Sequence, residues 1–129
     1  MRFDHAGIAT DDADPLAELF AEAFGTPVAH EETFDDLRVT FLDMGNGYFE
    51  LLEPVADTDG AIPRYLESNG PGIHHVALET DDIERALETV RESGIDCIDE
   101  DPRPGAWGHD VAFLHPKSTG GVLVELVEH

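Results

Sequence analysis

His5-Ala-Gly-Ile-Ala-Thr-Asp-Asp12 and His75-Val-Ala-Leu-Glu-Thr-Asp-Asp82 share a histidine, a threonine and both aspartates at an offset of 70 residues. The register continues through Glu18 with Glu88 and Glu22 with Glu92. A second match sets Phe41-Leu-Asp-Met-Gly-Asn-Gly-Tyr-Phe-Glu50-Leu-Leu-Glu-Pro54 beside Phe113-Leu-His-Pro-Lys-Ser-Thr-Gly-Gly-Val-Leu-Val-Glu125-Leu-Val-Glu128, the later copy being three residues longer in its turn. A chain of 129 residues has room for one domain, or for two repeated halves sharing one sheet, but not for two independent domains. The duplication therefore reads as a single domain over residues 1–129: a first module over 1–54, a linker over 55–72 and a second module over 73–129.

Each module reads strand, helix, then three strands. Residues 2 to 10 alternate, Asp11 and Asp12 are N-cap candidates, and Pro15 falls in the first helical turn, where its missing N–H costs little. Leu16, Leu19, Phe20 and Phe24 recur at helical spacing and Gly25 supplies the stop. In the second half Asp81 or Asp82 caps, Ile83, Leu87 and Val90 form the apolar stripe, and Gly94 ends it. Strands are expected at 27 to 32, 37 to 43 and 47 to 54, then at 95 to 99, 109 to 114 and 121 to 127. The linker, rich in Gly, Pro and Asp, holds at most a short helix near residues 63 to 67. The fold class is α+β: tandem βαβββ modules related by a pseudo-two-fold axis, giving a curved eight-stranded mixed sheet around a metal site.

Aspartate and glutamate number 29 against 7 lysines and arginines, for a formal charge of −22, while 41% of residues are hydrophobic. Such a surface repels phosphate backbones and anionic membranes, so no nucleic-acid or membrane partner is expected. Apolar periodicity argues for a folded chain, and the acid excess suits a salt-rich cytoplasm, where screening suppresses self-repulsion. The one cysteine, Cys97, cannot form an intrachain disulfide and reads as core packing. With no basic-then-apolar leader, the expected location is cytoplasmic.

The repeat singles out His5 and Glu50 in one half and His75 and Glu125 in the other. On an alternating strand His5 shares its face with Gly7 and Ala9, and His75 with Ala77, whereas Ile8, Val76 and Leu78 point toward the helices. Small residues beside a histidine leave room for a cavity. Glu50 and Glu125 are carboxylates inside otherwise apolar strands, where an unpaired charge costs several kcal/mol or more. Two readings follow. Each histidine can simply be hydrogen-bonded to the glutamate of its own half, or two imidazoles and two carboxylates can converge on an octahedral Mn²⁺, Co²⁺, Fe²⁺ or Ni²⁺ ion with two positions left for water or a chelating substrate. Duplication at matched positions favours the metal. Among the other histidines, His74 faces away from His75, His30 and His129 read as exposed, His115 as a strand end, and His109 as a loop residue near Trp107, which is itself a lid or plain loop packing.

On the βαβββ duplication and the His5, Glu50, His75, Glu125 register, nearly the whole chain resembles the vicinal oxygen chelate superfamily, the glyoxalase, bleomycin resistance and dioxygenase group. Within it the sequence resembles the methylmalonyl-CoA epimerase family, through Asp4-His5-Ala-Gly-Ile-Ala, Glu50-Leu-Leu-Glu-Pro54, Gly72-Ile-His-His75-Val-Ala, Asp81-Asp82-Ile83 and Phe113-Leu-His-Pro-Lys-Ser-Thr-Gly-Gly-Val-Leu-Val-Glu125-Leu. The resemblance implies an isomerase that interconverts the two C2 epimers of methylmalonyl-CoA through an enediolate, with a divalent cation held by His5, Glu50, His75 and Glu125. Cobalt is the implied metal, with manganese, nickel, iron and zinc as alternatives, and a homodimer the implied assembly. Some relatives carry a glutamate base in the strand aligned with Leu37-Arg38-Val39-Thr40; Val39 stands there, so that base does not carry over. Glu125 and Glu50 are then the expected acid/base pair on the two faces of C2, with a water or His109 as substitutes for one of them. Arg38, Arg64, Arg103 and Lys117 are the cations expected off the helices, and Lys117, in the matching His-Pro-Lys, is the expected contact to coenzyme A phosphates. Rival readings are a glyoxalase I type isomerase acting on a thiol adduct, a ring-cleaving dioxygenase, which the fourth ligand at Glu50 disfavours, and a metal-free binding module.

Overall fold

The computed structural model describes residues 1–55 and 57–129; Ala56, in the linker, lies outside the described residues. The chain runs β1 (Arg2–Ala9), α1 (Ala13–Phe24), β2 (Val28–Phe34), β3 (Leu37–Asp43), β4 (Tyr48–Pro54), α2 (Ala61–Asn69), β5 (Gly72–Glu79), α3 (Ile83–Glu92), β6 (Arg103–Pro104), β7 (Asp110–Phe113) and β8 (Val124–Glu128), with 3₁₀ turns at Ala106–Gly108 and Pro116–Ser118. This is the expected α+β class with two βαβββ runs and eight strands of mixed sheet. The residues group into two compact units, His5–His74, and His75–His129 together with Met1–Asp4.

In the unit His5–His74, β1 pairs parallel with β4, β4 antiparallel with β3, and β3 antiparallel with β2. One face of α1 buries Ala13 and Ala17, flanked by Leu16 and Phe20, against Leu42 and Leu51, with Ile8 and Phe49 beside them. Leu19 and Phe24, expected on that face, are exposed instead, because the core turns on the two alanines. Gly25 ends the helix in the left-handed region (φ 67°) and donates its N–H to the Ala21 carbonyl. Downstream, α2 is longer than expected and carries Arg64, which therefore does not lie off the helices; the Tyr65 hydroxyl donates to the Ile73 carbonyl at 2.8 Å.

In the other unit the pattern recurs: β5 parallel with β8, β8 antiparallel with β7, β7 antiparallel with β6. Ile83, Ala86 and Leu87 of α3 pack on Ala112, Leu114 and Leu126, with Leu78, Ile95 and Cys97 around them. Cys97 is thus a packing residue. The strand expected at 95 to 99 is not formed; Cys97 makes an isolated bridge to Leu114, a few backbone bonds join Asp96, Ile98 and Asp99 to Phe113 and His115, and the Asp99 carboxylate adds to them by accepting the Phe113 N–H at 2.8 Å. The outermost strand β6 is only two residues long.

Helices α1 and α3 begin on the same device. Glu53, at the end of β4, accepts the Ala13 N–H at 2.6 Å, and Glu128, at the end of β8, accepts the Ile83 N–H at 2.9 Å. Asp82 adds a side-chain cap by accepting the Arg85 N–H, whereas Asp12 makes no such bond. The residue of α1 that corresponds to Arg85 is Pro15, which has no N–H to give.

Candidate active site

Four strand positions put a histidine, a glutamate and a phenylalanine together, twice. In the unit His5–His74, the parallel register sets Glu50 opposite Gly7, two residues along the same face from His5, and the antiparallel register sets Phe41 on the other side of Glu50. Gly7 has no side chain to separate the two, and His5 Nε2 lies 3.3 Å from Glu50 Oε1. The Phe41 ring stands edge-on to the His5 imidazole at 5.7 Å between centroids and 88° between planes.

In the other unit Glu125 lies opposite Ala77 and beside Phe113. His75 Nε2 is 3.9 Å from Glu125 Oε1, and Phe113 stands edge-on to His75 at 5.4 Å and 83°. His5 is 3% exposed, His75 4%, and both glutamates 7%. These are two carboxylates and two imidazoles removed from water, with the phenylalanine edges fixing the ring planes. The sequence repeat had paired Phe41 with Phe113 without assigning them a task; the shared strand register is what turns both toward the histidines. Ala77, expected to open a cavity, is instead packed beneath Val111 and Val127.

Imidazole nitrogen and carboxylate oxygen are the ligands that octahedral Mn²⁺, Fe²⁺, Co²⁺ and Ni²⁺ accept, so each pair is of a kind that holds a divalent cation. A neutral imidazole offers one bare nitrogen, and a buried carboxylate needs a positive partner. Val39, at the position of the base that some relatives carry, is fully buried in β3 opposite Glu32 and Leu52.

The cations are engaged by carboxylates. Lys117, on the 3₁₀ turn Pro116–Ser118, lies 3.4 Å from Asp96. Arg38 meets Asp14 at 2.5 Å and Glu31 at 3.3 Å; the hydrogen bond to Arg38 holds the Asp14 carboxyl below the usual carboxylate range. Arg103 pairs with Asp99 and lies over the Phe113 ring, 5.6 Å from its centroid. His115 caps its 3₁₀ turn by accepting the Lys117 N–H on Nδ1, and His74 stands edge-on to Tyr65. His109 lies in the loop before β7, as expected, and stacks with Trp107, at 5.6 Å, and with His129, at 3.9 Å. His129 is engaged as well, its Nε2 2.5 Å from Asp4.

Residues 4–113 match the family model of the glyoxalase/bleomycin resistance protein/dioxygenase superfamily. The mitochondrial methylmalonyl-CoA epimerase of Dictyostelium discoideum is 39% identical over 98% of this chain and 78% of its own. The ethylmalonyl-CoA/methylmalonyl-CoA epimerase of Cereibacter sphaeroides is 36% identical over 97% of this chain and 96% of its own. Among solved structures, a single-substitution variant of Streptomyces coelicolor methylmalonyl-CoA epimerase in complex with 2-nitronate-propionyl-CoA superposes with a TM-score of 0.91 at 37% identity, covering 99% of this chain and 94% of that one.

Proposed function

The chain belongs to the glyoxalase/bleomycin resistance protein/dioxygenase superfamily, and from that premise we propose that it is an isomerase of the racemase/epimerase class, interconverting the C2 epimers of methylmalonyl-CoA with a divalent cation. The observation that carries the proposal is the duplicated buried His–Glu pair, supported by relatives named for this activity over nearly the full chain. His5, Glu50, His75 and Glu125 hold the cation, in a single domain whose modules span 1–54 and 73–129 around the linker 55–72. A bound dication supplies Lewis-acid stabilisation of the negative charge that develops as the α-proton leaves.

The protein's own groups move the proton. With Val39 apolar, Glu125 and Glu50 are assigned to opposite faces of C2, one as carboxylate taking the proton and the other as carboxylic acid giving its own to the second face, so that the two exchange protonation states on turnover. Burial raises the basicity of any carboxylate that lets go of its positive partner. The Phe41 and Phe113 edges keep each imidazole in place meanwhile. Lys117 meets the coenzyme A phosphates by exchanging its exposed pair with Asp96 for a more highly charged anion, an exchange that costs little because such surface pairs are worth about 0–1 kcal/mol.

Cobalt as the metal, a homodimer as the assembly, and a salt-rich cytoplasm as the setting complete the reading. The last rests on the −22 charge; thermal midpoints should rise steeply from dilute buffer to molar KCl, and a flat profile would remove it. No helix among the described residues is long and apolar enough to cross a membrane. Glu50→Gln, with metal occupancy checked, should still exchange deuterium from D₂O into one epimer while losing interconversion. Epimerisation at the parental rate would reduce Glu50 to a ligand and place the second base elsewhere.

A further inference from the structure

A second group of metal-ligating side chains, sharing no residue with the His–Glu–Phe sets, lies within the unit that joins Met1–Asp4 to His75–His129. Asp4, Glu79 and His129 bring one ligand atom each within 4.8 Å of one another. His129 Nε2 is 2.5 Å from Asp4 Oδ1 and 3.9 Å from Glu79 Oε2, so a single nitrogen faces two carboxylates. Asp4 is 5% exposed. We propose that Asp4, Glu79 and His129 form a second divalent-cation site, taking a borderline ion of the zinc, nickel or cobalt kind.

Three observations lead there. One is charge: two carboxylates face a single imidazole nitrogen, with Arg2 shared between Glu79 and Asp81, in a molecule whose −22 charge already concentrates cations at its surface. Another is orientation. His109 lies nearly parallel on His129, at 3.9 Å and 17°, and itself stacks with Trp107, so the His129 ring plane is held while its Nε2 lies within 3.9 Å of both carboxylates. Fixing a ligand ring from behind is what outer groups do for metal-binding histidines. Trp107 holds a left-handed backbone conformation (φ 62°), a strain that the surrounding packing must offset. The third is ligand type: one imidazole with two carboxylates suits zinc, nickel and cobalt, whereas magnesium and calcium favour oxygen alone. Glu79 serves two partners with its two oxygens, Oε1 toward Arg2 at 3.4 Å and Oε2 toward His129. Arg2 therefore tethers the carboxylate without occupying the oxygen that faces the imidazole.

Equilibrium dialysis of the metal-stripped chain against Co²⁺, with metal analysis, tests the site. The parent should hold two equivalents per chain, and His129→Ala one, with the epimerase rate of the loaded protein unchanged. His75→Ala should also hold one, which separates this site from the one proposed above: loss of the ion in His75→Ala concerns the epimerase reading, loss in His129→Ala concerns this one. Glu79→Gln, which keeps the side chain's volume, serves as the second variant and should weaken the same equivalent. Equal Co²⁺ stoichiometry in the parent and in both His129→Ala and Glu79→Gln would reduce the group to an ion pair and overturn the proposal.

Discussion

In the unit His5–His74 the strand bearing Phe41 is backed by β2, seven residues long and paired along most of its length; in the other unit the strand bearing Phe113 is backed by β6, two residues long. The inner strands nonetheless keep one register, Gly7 opposite Glu50 and Ala77 opposite Glu125, and the two histidine–phenylalanine contacts differ by only 0.3 Å, 5.7 against 5.4 Å. The chemistry-bearing side chains are thus set by the parallel inner pair and its antiparallel neighbour, and the outer strand is free to diverge. Where the second unit gives up its outer strand, the Asp99 carboxylate and a glycine-punctuated loop take its place.

The comparison breaks most visibly at the histidines. His5→Ala and His75→Ala should be equivalent despite their unlike surroundings, each weakening metal binding by more than about 100-fold, beyond the range of changes to groups that merely orient a ligand. Dialysis against Co²⁺ and turnover measured on the same samples would show it, and a variant that loses one function without the other would divide the two units.

A second test touches only the divergent loop. A Cβ added at Gly105 would lie 2.7 Å from Val111 Cγ1 and 3.0 Å from Cγ2, and a valine in a strand has little χ1 freedom with which to retreat. Gly105→Ala should cost about 1–3 kcal/mol in denaturant unfolding, the usual range for overpacking. Co²⁺ binding by the proposed His5, Glu50, His75 and Glu125 set should be untouched.

The smallest expected effect sharpens the comparison of the helices. Asp82→Ala should cost about 1 kcal/mol, the typical worth of an N-cap, and Asp12→Ala close to nothing, because Pro15 leaves no N–H for Asp12 to accept. Matched urea melts of the two variants decide it. Equal losses would mean that Asp12 acts through something other than capping.

The same particulars show what could be read from sequence. The repeat located β1, both long helices, β3 and β4, because apolar alternation, prolines and glycines mark those elements locally, and it picked out the two buried His–Glu pairs because a carboxylate in an apolar strand has to be explained. It misled at residues 95 to 99: Ile95, Cys97 and Ile98 look like a strand, yet Ile98 is exposed, and the backbone is satisfied by Asp99 and by the Phe113 carbonyl, which accepts from both Ile98 and Asp99. Leu19 and Phe24 fit helical spacing but lie beyond the strip that Ala13 and Ala17 define. The roles of Glu53 and Glu128 were within reach, since they share the 75-residue offset of Glu50 and Glu125, but exposed and capping carboxylates look alike in a chain this acidic. The stacking of His129 on His109 had no signal, because residue 129 meets residue 109 only through tertiary folding.

The central claim is that a divalent cation and this chain's carboxylates together move the α-proton of methylmalonyl-CoA. Its most direct test is deuterium incorporation at C2 in D₂O, measured on the metal-stripped protein and again after Co²⁺ is restored. The account predicts no exchange above the buffer rate in the stripped protein, and incorporation with interconversion of the epimers once the metal is returned. Exchange at the same rate in both samples would contradict it.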